Sequence, residues 1–288
     1  MFTIGKTEGT YTEYAITNEA DASCLKVVPE KGGIITGLSV KGREALYVDR
    51  ELLGSGSDIH AGGLPILFPI CGGFRDDFFQ EEGFHCNLPE HGFAKSSRWA
   101  VKQISAQTGE IILELTDNDS TFELYPFHFR CTASYQLCGN ELRLSFEVTN
   151  CGDGVMPFYL GIHPFFNIQN KNGMKFVIDA DAYIDYHDGL RKAYAGTVDF
   201  SKPVDFVFNL NPSPEYHYQM AEANDGRKIA ITTSGEYGYM VLWTQEGKSF
   251  VCMESWMSAT DATHTDKGML RLRPNESAQS WIRIRLGD

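Results

Sequence analysis

Apolar and polar side chains alternate with a period of two along much of this chain. In 141–149, Leu142, Leu144, Phe146 and Val148 alternate with Glu141, Arg143, Ser145, Glu147 and Thr149. In 129–137, Phe129, Cys131, Ala133, Tyr135 and Leu137 alternate with Arg130, Thr132, Ser134 and Gln136; near the end, Ile282, Ile284 and Leu286 alternate with Arg283 and Arg285. Because successive side chains of a strand point to opposite faces, such alternation predicts half-buried antiparallel strands. Further strands are predicted at 10–17, 24–28, 33–40, 99–104, 110–116, 175–179, 228–233, 239–243 and 250–254. Turn-forming clusters separate them, among them Lys31-Gly32-Gly33, Asn118-Asp119, Gly139-Asn140, Gly152-Asp153-Gly154 and Asn224-Asp225-Gly226. No amphipathic helix longer than two turns is predicted.

No repeat, linker-like or low-complexity stretch divides the chain. The expected architecture is all-β, one domain over 1–288, built as a large sandwich of two antiparallel sheets. Two stretches break the alternation: 54–89, rich in Gly, Phe, Asp and Pro, and 197–218, rich in Pro, Asp and Phe. Both are read as long loops, which in a compact domain tend to carry function.

Composition narrows the picture. At 288 residues and 42% hydrophobic, the chain can bury a sizeable core, which excludes disorder. Its 19 Phe, 13 Tyr and 4 Trp suit a β protein, and also a sugar site, where ring faces stack on the apolar face of a pyranose. A formal net charge of −13 argues against nucleic acid as a partner, because phosphate backbones demand a basic surface. Seven cysteines, odd in number, irregularly spaced and without a C-x-x-C, argue for a reducing compartment over a disulfide framework. The N-terminus lacks the basic-then-apolar pattern of a signal peptide, and no apolar run approaches the roughly 20 residues of a membrane span. A soluble cytoplasmic protein, with no membrane partner, is expected.

Three segments place one titratable side chain among aromatic, Gly or Pro neighbours: His91-Gly92-Phe93-Ala94-Lys95, Gly161-Ile162-His163-Pro164-Phe165-Phe166 and Val251-Cys252-Met253-Glu254-Ser255-Trp256. A His and a carboxylate on opposite walls of one pocket would form an acid/base pair able to move two protons on a small polar substrate. On the residues alone, a core His at a strand end and a surface Glu at a strand end are equally open readings. His85, His91, Asp76 and Asp77 lack any recognised ligand spacing, so no metal is expected. No P-loop, dinucleotide fingerprint or Ser/Cys nucleophile motif appears, and no cofactor is expected.

Taken in order, Gly62-Gly63-Leu64-Pro65-Ile66-Leu67-Phe68-Pro69-Ile70-Cys71-Gly72, His91–Lys95, Gly161–Phe166, Glu254-Ser255-Trp256 and Leu270–Ser277 resemble the aldose 1-epimerase (galactose mutarotase-like) family over about 10–286. The similarity is greatest to its bacterial branch near the hexose-6-phosphate 1-epimerases. The resemblance implies a galactose mutarotase-like supersandwich and interconversion of α and β anomers of a hexose or hexose phosphate by ring opening. It implies His163 as general acid to the ring oxygen, Glu254 as base to the anomeric hydroxyl, and His91 as a substrate-binding histidine. Ser255 departs from the family, where proline is usual after the Glu. Lys95 stands where arginine is common and Arg75 near where another is expected, so both are candidate substrate-binding cations, with Arg98 close by. A lysine offers a point charge where arginine offers a fork. Asp205, in Pro203-Val204-Asp205-Phe206, is a further carboxylate of the kind a sugar site uses, outside any matched motif. The implied partner is a small sugar or sugar phosphate, and the chain is expected as a monomer or weak homodimer. Two other readings stand beside this one: a non-catalytic carbohydrate-binding protein, and a glycoside-cleaving enzyme, which would ordinarily use two carboxylates.

Overall fold

The computed structural model describes residues 1–55, 61–73, 79–81, 84–86, 88–222, 226–259 and 268–287. Its framework is two eight-stranded antiparallel sheets. The first runs Lys175–Ile178, Glu215–Ala221, Lys228–Ser234, Ser277–Gly287, Glu141–Asn150, Phe129–Cys138, Glu110–Thr116 and Ala100–Ser105. The second runs Leu190–Ala193, Ala182–Asp185, Val204–Asn209, Tyr239–Thr244, Phe250–Trp256, Gly161–Ile162 and Ile66–Leu67, with Phe165–Asn167 also paired to Phe250–Trp256. A five-stranded sheet from Thr3–Thr7 to Arg43–Glu44 packs beside them, and the Tyr135 hydroxyl of the first sheet donates to the Gly33 carbonyl at 3.0 Å.

The alternation read from the sequence is what buries the first sheet. Phe129, Cys131, Ala133, Tyr135 and Leu137 are buried, while Arg130 is exposed; Ile282, Ile284 and Leu286 are buried, while Arg283 and Arg285 are exposed. These side chains meet Phe208, Met240, Leu242 and Met253 of the second sheet in one hydrophobic core. Each fully buried side chain of this size contributes about 1.5–3 kcal/mol before conformational entropy is subtracted. The fold is therefore the expected antiparallel β-sandwich.

Three readings are corrected. The stretch 54–89 is not one loop, since it contains the strand Ile66–Leu67 and the paired strands Phe79–Glu81 and Phe84–Cys86. The stretch 197–218 is not one loop either: it contains the strand Val204–Asn209 and the start of Glu215–Ala221. Val204, Phe206, Val207 and Phe208 are all buried, so no alternation shows, and the flanking prolines disguise the run further. Asn118-Asp119 is not a simple turn but a helix start, since the Asn118 side chain accepts from the Ser120 and Thr121 amides and caps Asp119–Leu124. The helices Arg50–Ser55 and Asp119–Leu124 are each under two turns, and no helix of the described residues is long and apolar enough to cross a membrane.

Candidate active site

Strand register brings His163 and Glu254 together. Gly161 and Ile162 pair with Trp256 and Ser255, and after an interruption Phe165 and Phe166 pair with Cys252 and Val251. Both ladders keep one register, so His163 falls opposite Glu254. The interruption follows from Pro164, which has no N–H to give a ladder and pushes the preceding residue toward extended backbone. The His163 amide instead donates to the Pro65 carbonyl at 3.1 Å. Gly161 is required here: a Cβ would stand 2.6 Å from Cys71 Sγ and 2.9 Å from the Ser255 carbonyl.

His163 Nε2 lies 3.3 Å from Glu254 Oε1, and the other carboxylate oxygen, Oε2, accepts the Trp256 indole N–H at 2.9 Å. Glu254 is 1% exposed and His163 5%. The imidazole stacks on Phe165 at 4.7 Å, with the Trp243 edge 5.9 Å away. This geometry amends the expected one. The pair was expected across a pocket, but the two groups are in contact. Ser255, the departure from the family, points to the opposite face of its strand, where its hydroxyl hydrogen-bonds Tyr218 OH. The strand runs unbroken through Trp256, so the missing proline leaves the carboxylate in place.

His91 arrives from a separate loop, with a backbone φ of 63°. Its amide donates to the Gly72 carbonyl at 2.6 Å, and its Nδ1 accepts the Gly72 amide at 3.0 Å. That reciprocal pair leaves the ring proton of the neutral imidazole on Nε2. Its ring stands perpendicular to that of His163, 5.4 Å away, and 5.7 Å from Trp256. Gly92 cannot carry a side chain, because a Cβ would stand 2.2 Å from the Phe68 carbonyl that the Phe93 and Ala94 amides bond. This close approach explains why His91 is followed by glycine.

These residues line a cavity of about 160 Å³ together with Gly72, Glu90, Tyr186, Asp205, Val241 and Trp243. Sequence reasoning missed Glu90, Tyr186 and Trp243 as site residues. The only available signals were Glu90 beside His91 and the lone carboxylate of Asp205 inside an apolar run. Three carboxylates, not one, therefore meet here. Burial pushes the Glu254 carboxyl well above the ordinary carboxylate range; the Trp256 hydrogen bond opposes this, and the charges of Asp205 and Glu90 add to it. Asp205 is also raised, by burial first; His187 lowers it, and Asp185 and Glu90 raise it.

The two expected cations among the described residues, Lys95 and Arg98, do not line the cavity. Lys95 Nζ donates to the Glu90 and Gly92 carbonyls, both at 2.8 Å, and so ties its own loop; burial lowers its pKa. Arg98 pairs with Glu30 at 2.7 Å. Arg75, Asp76 and Asp77 lie outside the described residues. The Cys252 thiol, His163 and Glu254 offer three donor atoms within 4.8 Å of one another, a set whose chemistry suits zinc. Burial raises the thiol far above its ordinary value and so holds its proton, which opposes ligation.

The comparisons with known proteins point to one family. Residues 14–285 match the aldose 1-epimerase family model. Protein LacX (plasmid) of Lactococcus lactis subsp. lactis is 30% identical over 225 residues, covering 68% of this chain and 73% of that protein. An Escherichia coli K12 protein that carries the provisional name glucose-6-phosphate 1-epimerase is 25% identical over 241 residues, covering 77% of this chain and 74% of its own. The solved structure of the Slr1438 protein from Synechocystis sp. PCC 6803 superposes with a TM-score of 0.93 at 33% identity, covering 100% of this chain and 99% of that one. The chain belongs to the aldose 1-epimerase family, which makes it an isomerase by class, and its fold is that of galactose mutarotase-like structures.

Proposed function

We propose that this chain is a mutarotase: it interconverts the α and β anomers of a hexose or hexose phosphate, with Glu254 as base and His163 as acid. The observation that carries this reading is the 3.3 Å contact between the two groups in a cavity of single-sugar size. The anomeric hydroxyl and the ring oxygen are bonded to the same carbon. Groups that act on both must therefore stand side by side, not across the ring.

Ionised Glu254 takes the proton of the anomeric hydroxyl while protonated His163 gives one to the ring oxygen. The bond from C1 to the ring oxygen breaks and a free aldehyde forms. Rotation about the C1–C2 bond presents the other face, and reclosure reverses both proton transfers, restoring the carboxylate and the imidazolium. Each positioned group contributes about 10²–10⁴-fold. His91, with its ring proton on Nε2, is a hydrogen-bond donor for a substrate oxygen, and Trp243 and Trp256 offer apolar walls to the sugar. Nothing is oxidised and no group is lost, so the reaction needs no cofactor.

Glycoside cleavage would pair two carboxyl groups across the scissile bond, whereas the group in contact with Glu254 is the His163 imidazole. We also read the chain as one domain, working in the cytoplasm as a monomer or weak homodimer; the free thiols of Cys24, Cys71, Cys131, Cys138, Cys151 and Cys252 fit a reducing compartment. Polarimetry on freshly dissolved α-glucose and α-galactose tests the proposal. A mutarotase speeds the drift in rotation to the same endpoint. A binding protein leaves the rate at its uncatalysed value, and a glycosidase acts only on glycosides.

A further inference from the structure

We infer that Glu90 and Asp205 act as a charge filter at the mouth of this site, so that the substrate is an uncharged aldose and sugar phosphates are rejected. The inference rests on the mutarotase reading and narrows its substrate class. Among the described residues, the cavity is lined by Glu90, Asp205 and Glu254 and by no lysine or arginine. Glu90 holds its carboxylate 3.9 Å from His91 Nε2, with its side chain 75% exposed, so its charge stands at the rim. Asp205 reaches the cavity from the strand Val204–Asn209, across the sheet from Trp243.

A phosphate site needs donors in a fork or a cluster of cations. The two cations nearest His91 in the described sequence are committed elsewhere: Lys95 to two backbone carbonyls and Arg98 to Glu30. Arg75 lies outside the described residues. A phosphate dianion entering this cavity would meet like charge, and like charges juxtaposed at a binding surface are a strong means of rejecting the wrong partner. A neutral sugar meets the same carboxylates as hydrogen-bond acceptors for its hydroxyls.

The test compares kcat/KM for glucose and glucose 6-phosphate at pH 8, at low and high ionic strength. At low salt, glucose is expected to be favoured about tenfold or more. The gap is expected to narrow as salt screens the carboxylates. It is also expected to shrink several-fold in Glu90→Gln and in Asp205→Asn. Preference for glucose 6-phosphate that weakens with salt, or is lost in Lys95→Ala or Arg75→Ala, overturns the inference while leaving the mutarotase reading in place. Acceleration of neither sugar sinks the mutarotase reading instead. Calorimetric titration with the two sugars then decides the charge question without turnover, because tighter binding of the phosphate would still contradict the filter.

Discussion

Two buried glutamates, one on each large sheet, differ in what holds them, and the difference separates a structural carboxylate from the proposed base. Glu141, 6% exposed, accepts from Arg143 Nε and Arg285 Nη2, both at 2.8 Å. Burial alone would raise its pKa, but the two arginines outweigh burial and hold it below the ordinary value. Glu254, 1% exposed, has one indole N–H and an imidazole, and burial wins. The first carboxylate is neutralised where it stands. The second keeps a high affinity for a proton, as a base must. Burial is common to both; the partner decides the role.

The largest effect that would break this contrast is on turnover. Glu254→Gln and His163→Asn are each expected to lower kcat by about 10²–10⁴-fold, with the double variant little worse than the weaker single, because both transfers belong to one step. Glu141→Gln should keep its kcat. Near-wild-type turnover in Glu254→Gln would move the base elsewhere.

Stability should separate the two glutamates with opposite signs. Glu141 has a lowered folded pKa, so the unfolded chain binds its proton more readily; its contribution is present above the unfolded carboxylate value and fades as pH falls through the folded one. Glu141→Gln should therefore cost about 1–2 kcal/mol near neutral pH, tempered by the exposure of both arginines. The cost should shrink in acid. Glu254 has a raised folded pKa, so the folded chain binds its proton more readily and stability falls as pH rises past the unfolded value. Glu254→Gln, which keeps an oxygen for the Trp256 indole, should gain about 0.5–2 kcal/mol near neutral pH. Urea unfolding across pH reads both signs, and equal signs would refute the contrast.

A smaller change is expected at His91, which in the proposed mechanism donates a hydrogen bond without exchanging a proton. His91→Asn should lower kcat/KM about tenfold, less than either partner of the dyad. A loss matching that of His163→Asn would promote it to the proton-transfer step.

Period-two strands with one wet face, such as 129–137 and 141–149, were legible because water selects every second residue. Among strands buried on both faces, the long apolar run Phe250–Trp256 was legible as a strand at 250–254, but the shorter ones that frame the site were not. Ile66–Leu67, Gly161–Ile162 and Phe165–Asn167 are too short and too Gly- and Pro-rich to show a period. Val204–Asn209 hides Asp205 in an apolar run. His91, His163 and Glu254 were readable as a set only through motif order, since nothing local in the chain says that segments this far apart converge. Their contact geometry was not readable at all, because strand register fixes it. Glu90 and Tyr186 enter the cavity through loop and hairpin geometry that leaves no mark on composition.

The most direct measurement is a residue-specific titration of Glu254, by carbon-13 NMR of its labelled carboxyl, set beside the pH profile of kcat/KM. The account predicts that Glu254 titrates above the ordinary carboxylate range and that the acid limb of activity rises at the same midpoint. A Glu254 that titrates in the ordinary range, or an acid limb that rises away from its midpoint, would contradict the assignment of this carboxylate as the base.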